Sequence, residues 1–426
     1  MAINERLIHT AADVAGNAGT EGLILHLDAN DVDSYDGDGT EWVDISDHEY
    51  SPATDVSEHF NTVLYSPSSS GITAITGVGF QPDLVWTKNR SNTWWHQLVD
   101  SVRGGSNTIY SNGTNTQGIP TSHIDSLDSD GFTVDYSENI GNDHVAWCFK
   151  AGGVPSGSDK ISIDGTSYAD ESAAGLTAGN VAVTKLSANT KLGFSIATLD
   201  NVATHPNKTF SHGLGVPPEL VIGKIYDGTT DNWHVMTPLL GANNEMYLNT
   251  TDDIQAWSGF NNTAPDFNHI NLAWTTDTSY KMIFYSFASK RGVSKVGSYT
   301  GDGSTSNKIY IGFEPAFVMV KRTDSTSNWR IYDNKRGTEK ELYANTNAVE
   351  PSDVSYIDFN RDGFTLTSNG GWINNNGGKF IYLAFAKNTN ETSLIPNTDL
   401  ELHLDAGDDT TVSTSTWSDS TSNNND

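Results

Sequence analysis

Gly79-Phe80-Gln81-Pro82-Asp83-Leu84-Val85-Trp86-Thr87-Lys88 reads as a turn followed by a short apolar run, and the chain writes it three times. The second copy is Gly215-Val216-Pro217-Pro218-Glu219-Leu220-Val221-Ile222-Gly223-Lys224, and the third is Gly312-Phe313-Glu314-Pro315-Ala316-Phe317-Val318-Met319-Val320-Lys321. The runs are too short for helices and rich in β-branched and aromatic residues, so each predicts a buried strand. Register holds downstream: Trp95, Trp233 and Trp329 lie 16, 18 and 17 residues after the opening glycines, and Tyr110, Tyr247 and Tyr343 lie 31, 32 and 31 after them. Asn112, Asn249 and Asn345 follow those tyrosines by two residues, and Asp130-Gly131-Phe132 matches Asp362-Gly363-Phe364 in the first and third copies. A tryptophan shared by three copies predicts core packing rather than ligand contact, so Trp95, Trp233 and Trp329 are expected inside.

Each copy closes on an aromatic strand: Val145-Ala146-Trp147-Cys148-Phe149, Met282-Ile283-Phe284-Tyr285-Ser286-Phe287 and Phe380-Ile381-Tyr382-Leu383-Ala384-Phe385. Another strand precedes each opening motif, within residues 60–65, 193–198 and 295–299. The first two copies are 136 residues apart (215 minus 79) and the last two 97 (312 minus 215), which leaves roughly 40 extra residues in the first interval. That stretch contains the alternating runs Lys160-Ile161-Ser162-Ile163-Asp164 and Val181-Ala182-Val183-Thr184-Lys185, which predict a hairpin or edge strands laid on a neighbour. A second repeat brackets the three copies: Leu23-Ile24-Leu25-His26-Leu27-Asp28-Ala29 near the start and Leu400-Glu401-Leu402-His403-Leu404-Asp405-Ala406 near the end. The later copy reaches Asp426 too soon to close a sandwich and is expected to be a partial motif or tail.

The 426 residues hold 24 Lys plus Arg against 53 Asp plus Glu, a formal charge of -29. That excess repels phosphate backbones and anionic membrane surfaces, which excludes a nucleic-acid binder. With 11 Trp, 16 Tyr and 16 Phe the chain still has the apolar material for several cores, and its 39 Gly fit frequent reversals between strands. No apolar stretch approaches the roughly 18 residues of a membrane span, and residues 1–8 lack the pattern of a signal peptide. Synthesis in a cytoplasm without membrane insertion is the expectation. The lone cysteine, Cys148, sits in an apolar run and predicts a buried thiol.

The stretch Gly79 to Ser91, with Asp100-Ser101-Val102-Arg103-Gly104, Ser129-Asp130-Gly131-Phe132 and Ala146-Trp147-Cys148-Phe149-Lys150-Ala151-Gly152 behind it, resembles an uncharacterised β-rich domain common in virion structural and tail-fibre-like proteins of marine tailed bacteriophages. The stretch from Lys295 to Asp333 is similar to the downstream copies of that domain, and the Leu-His-Leu-Asp-Ala motif resembles the first strands of laminin-G or concanavalin-A-like lectin domains. The resemblance implies a virion location, at the particle surface or tail, and brings no catalytic residues with it. The second copy lacks both the Asp-Gly-Phe triplet and the Arg-Gly that follows Asp100 in the first, so its loops are expected to be reshaped.

No nucleophile elbow, zinc-protease helix or phosphate loop occurs, and the 12 histidines are scattered without ligand spacing, so no catalytic residue is assigned and an enzyme is not expected. Asp33, Asp36 and Asp38 in Asp31-Val32-Asp33-Ser34-Tyr35-Asp36-Gly37-Asp38-Gly39 are candidate ligands for Ca2+. The same stretch also reads as a solvated Asp-Gly turn, and its acids miss the register of an EF-hand. Trp94 and Trp372 have no counterpart in the other copies. An exposed indole beside amides and carboxylates can stack on a pyranose face while the polar groups take its hydroxyls, which makes these two the candidate ligand-binding residues.

These readings combine into an all-β chain of tandem antiparallel β-sandwich, jelly-roll or lectin-like domains. The expected divisions are a docking arm at 1–21, lectin-like opening strands at 22–58, repeats at 59–152, 193–292 and 293–388, a structured spacer at 153–192 and a partial lectin-like motif or tail at 389–426. A row of such units builds a stiff rod or knob with sites on its loop ends. The expected function is that of a virion structural protein, fibre or adhesin. It would hold other virion proteins through its arm, form a homo-oligomer and touch host surface polysaccharide; a tail depolymerase and a ligand-free spacer are the other readings.

Overall fold

The computed structural model describes two short strands, Leu7–Thr10 and Leu23–Leu27, and residues 56–387 apart from 68–70, 137–140, 201, 203–206, 258, 274–279 and 352–354. Leu7–Thr10 and Leu23–Leu27 pair antiparallel. The candidate calcium residues Asp33, Asp36 and Asp38 and the partial motif at 389–426 lie outside the described residues. Among the described residues there is no α-helix, and the chain is all-β.

In the first unit one sheet runs in the order Phe60–Tyr65, His144–Phe149, Leu84–Asn89, Gln97–Asp100, and a second in the order Gly71–Thr76, Gly131–Tyr136, His123–Asp128, every pairing antiparallel. The third unit repeats this with Ser294–Thr300, Lys379–Ala386, Pro315–Arg322, Arg330–Asp333 and Leu342–Tyr343 over Asn307–Tyr310, Gly363–Leu366 and Ile357–Asn360. In the second unit the small sheet is reduced to Lys208–Ser211 paired with His269–Leu272. Its large sheet instead grows to nine strands. The preceding stretch supplies the hairpin of Ile161–Ile163 with Thr166–Tyr168, and then Lys185–Asn189, which pairs antiparallel with Phe194–Asp200.

The closing strand of the first unit, His144–Phe149, is buried at every position. Successive side chains point to opposite faces. Ala146 and Cys148 enter a core with Phe132, Val134 and Tyr136 of the unit's own second sheet, whereas Val145, Trp147 and Phe149 enter a core shared by all three units. A strand buried on both faces reads as a continuous apolar run, which is why these segments show no polar alternation.

The shared core gives the molecule its symmetry. Phe149, Phe287 and Phe385 pair with Leu84, Leu220 and Phe317 in the same ladder register, so they are equivalent. Their ring centroids lie 6.3, 6.2 and 5.3 Å apart (Phe149–Phe287, Phe287–Phe385 and Phe149–Phe385), so one phenylalanine from each unit meets the other two on a pseudo-threefold axis. The apolar cavity beside them measures only ≈ 10 Å³. The units therefore close on one another rather than following each other along a rod.

One backbone hydrogen bond occurs three times around this ring. Gln117 N donates to Tyr226 O at 2.8 Å, Ile254 N to Thr323 O at 3.0 Å and Glu350 N to Arg90 O at 2.9 Å, joining first to second, second to third and third to first unit. The donors stand five residues after Asn112, Asn249 and Asn345, and the acceptors two after Lys88, Lys224 and Lys321. Those three lysines are buried and donate to carbonyls: Lys88 to Asn89 O and Asn92 O, Lys224 to Thr114 O across the interface, and Lys321 to Thr251 O across the next. Burial pulls all three down to about 8.

Trp233 and Trp329 are in the core as expected, and their indole N–H groups donate to the preceding unit, at Tyr110 O and Tyr247 O. Trp95 is not their equivalent. Asn249 and Asn345 accept from the backbone N–H of Trp233 and Trp329, 16 residues earlier, and Asn112 accepts from His96. His96 is therefore the buried counterpart, stacked on Trp147 at 6.3 Å, and Trp95 is displaced by one residue to the surface, where it is 40% exposed. The Asp-Gly-Phe glycines have a packing reason: a Cβ on Gly131 or Gly363 would sit 2.0 Å from Ile75 O or Ile309 O. Neither position tolerates a side chain without moving the neighbouring strand.

Candidate aromatic binding site

Trp95 faces a surface groove of ≈ 590 Å³ in the first unit, lined by Thr93, Trp94, Trp95, Gln97, Tyr110 and residues 120–122. The strand Gln97–Asp100 begins where the chain turns inward at His96, which leaves the two preceding indoles outside. The Trp95 ring meets Tyr110 edge-on at 5.1 Å and 86°. A Cβ on Gly113 would lie 2.7 Å from the Trp95 ring, so that indole is seated on bare backbone. Gln97 is buried and donates through Nε2 to Ser122 O at 2.8 Å, while its Oε1 has no hydrogen-bond partner. Two indoles and a tyrosine line one groove with the hydroxyls of Thr93 and Thr121, so it offers rings for stacking and polar groups for hydrogen bonds.

The corresponding floor of the third unit carries a charge. Arg330, equivalent to Gln97, pairs with Glu341 and lies 5.1 Å from the Tyr343 ring, 5.9 Å from Tyr356 and 5.5 Å from Trp372. Trp372 is 41% exposed and contacts Tyr356 at 5.8 Å. A Cβ on Gly370 would lie 2.6 Å from its ring. The Arg330 Nε is buried without a hydrogen-bond partner. Burial and Glu341 push Tyr343 up to about 12.

In the second unit the floor residue is His234, which meets Glu245 Oε2 at 2.9 Å and Asp231 Oδ2 at 3.4 Å. Burial lowers its pKa, but the hydrogen bonds to Asp231 and Glu245 outweigh that and raise it. Its ring lies 5.3 Å from Tyr247 and 6.1 Å from Trp257, which is 45% exposed.

The two candidate ligand residues thus stand on different units: Trp94 lines the first unit's groove, and Trp372 packs against Arg330 of the third. Trp95 and Trp257 were missed. Counting back 16 residues from Asn112, as from Asn249 and Asn345, assigns His96 to the core and frees Trp95; nothing in the local sequence marks Trp257. Among the described residues no group of three or more His, Cys, Asp or Glu is placed to hold a metal ion. No helix of the described residues is long and apolar enough to cross a membrane.

A family model, Domain of unknown function (DUF7483), matches residues 55–389. The chain belongs to that family. The matched stretch runs from just before Phe60–Tyr65 to just after Lys379–Ala386, so a DUF7483 domain is the whole ring of three units with its inserted hairpin, not one of the repeats. No curated protein and no solved structure matches the chain.

Proposed function

We propose that this DUF7483 chain is a structural adhesin of a tailed phage particle, displayed on head or tail, that holds other virion proteins through its N-terminal arm and contacts host surface glycans through the first unit's groove. The observation that carries the glycan contact is the groove that Trp94, the 40% exposed Trp95 and Tyr110 line together. The phage location rests on the sequence resemblance. Indoles stack on the apolar face of a pyranose, and the exposed hydroxyls of Thr93 and Thr121 take its ring substituents. Each contact is weak, and several chains on one particle multiply it through effective concentration. The role is binding, without turnover of the glycan.

Imaging of purified particles with this chain fitted into the density is the test. A ring held away from the particle with the Trp94–Trp95 groove open to solvent supports the adhesin, and particles carrying Trp94→Ala with Trp95→Ala should then adsorb more slowly to host cells. A groove sealed against neighbouring subunits overturns it and makes the ring an architectural spacer.

A further inference from the structure

We infer that the molecule carries three carbohydrate platforms, one per unit, each for an uncharged pyranose chain; this rests on the glycan reading above and extends it to Trp257 and Trp372. The three floors are equivalent by the pseudo-threefold. Gln97, His234 and Arg330 each open the strand that follows the core position His96, Trp233 or Trp329, and Tyr110, Tyr247 and Tyr343 each stand two residues before the conserved-register asparagine.

Onto each floor the chain brings one half-exposed indole, from a different place in the sequence each time. Trp95 precedes the strand, Trp257 follows Gln255–Ala256, and Trp372 comes from the loop before the closing strand. The repeat alone would have placed them alike. Three unrelated loops each set an indole beside an equivalent floor, which is not a by-product of duplicated sequence, and none of these rings is needed to fill a core.

The floors also say which sugars fit. Gln97 is neutral, Arg330 is neutralised by Glu341, and His234 lies between Glu245 and Asp231, so no floor offers an uncompensated cation to a uronate or sulfate. The overall charge of -29 repels polyanionic glycans further. What remains is stacking plus hydroxyl recognition, the chemistry of an uncharged hexose or N-acetylhexosamine chain.

The full chain titrated by calorimetry and tryptophan fluorescence with cellohexaose, maltohexaose and chitohexaose, beside a hexaguluronate, tests this. One of the neutral probes should bind at about three sites, falling to about two in each of Trp95→Ala, Trp257→Ala and Trp372→Ala with an unchanged melting temperature, while the Phe variants keep about three. One site, abolished by Trp95→Ala and indifferent to the other two changes, overturns the inference and leaves the adhesin reading standing. Preference for the hexaguluronate overturns the uncharged assignment, and no binding of any neutral probe overturns the inference and the proposed glycan contact together.

Discussion

Glu350 and Arg90, 260 residues apart in sequence, close the ring: the Glu350 amide donates to the Arg90 carbonyl at 2.9 Å, and its carboxylate takes the Arg90 guanidinium through Nη2 at 2.7 Å and Nε at 3.0 Å. The same carboxylate accepts from Arg336 at 3.0 Å. Here the third unit meets the first with no chain running between them, so side chains hold what the two other interfaces share with a covalent connection.

Glu350→Gln should therefore lower stability by about 1–3 kcal/mol, because it leaves two buried or half-buried guanidinium groups with a neutral partner. Lys281→Gln, which breaks an exposed pair with Asp227, should cost under about 0.5 kcal/mol. Urea unfolding of both variants decides it; equal effects would show that Glu350 is not a closure residue.

The polar groups inside the interfaces are matched. Trp147 Nε1 donates to Asp333 Oδ2 at 3.0 Å, and Tyr285, in the equivalent position, donates to Asp100 Oδ2 at 2.8 Å; each acid also holds an arginine three residues on, Arg336 or Arg103. At the remaining interface the equivalent positions are Leu383 and Thr237, with Leu240 in place of the arginine. Asp333→Ala should cost about 3–5 kcal/mol by stranding buried Arg336. A cycle with Trp147→Phe should show coupling of about 0.5–3 kcal/mol, and additive losses in denaturation would argue against the pairing.

Acid should weaken the fold through His144 and His212, both lowered to about 4 chiefly by burial. Each is held neutral, His144 between Asn89 and the Asn142 carbonyl, His212 between Leu214 N and the Asp266 carbonyl. The unfolded chain, titrating near 6.5, binds more protons than the folded one, so stability is lost as pH falls from about 6.5 towards about 4, by about 2 kcal/mol per histidine at pH 5. Urea midpoints at pH 7 and 5 for the chain and for His144→Gln measure it. If the variant loses as much as the parent on acidification, His144 is not responsible.

Gly131→Ala should destabilise by more than about 2 kcal/mol, since the new methyl meets Ile75 O. Gly118→Ala, where nothing lies within 4 Å, serves as the control. Cys148, whose thiol burial pushes well up, reports the outcome: its alkylation rate should rise in Gly131→Ala and stay slow in the control.

The order of residues alone carries the strands, the threefold repeat and the interior position of Trp233, Trp329 and Cys148, because these depend on local periodicity and on register kept within one unit. It read the chain as a row, and it put Trp95 in the core, because a repeat specifies what each unit looks like and says nothing about which of its surfaces are sticky towards the others. The ring comes from contacts between units far apart in the chain. Phe149, Phe287 and Phe385 are apolar in any reading, but that the second face of each sheet is buried against two other units follows from strands buried on both sides meeting at one axis. The same holds for the aromatic sites: Trp257 and Trp372 reach equivalent floors from non-equivalent loops, and a spatial coincidence of that kind leaves no periodic trace in the order of the residues.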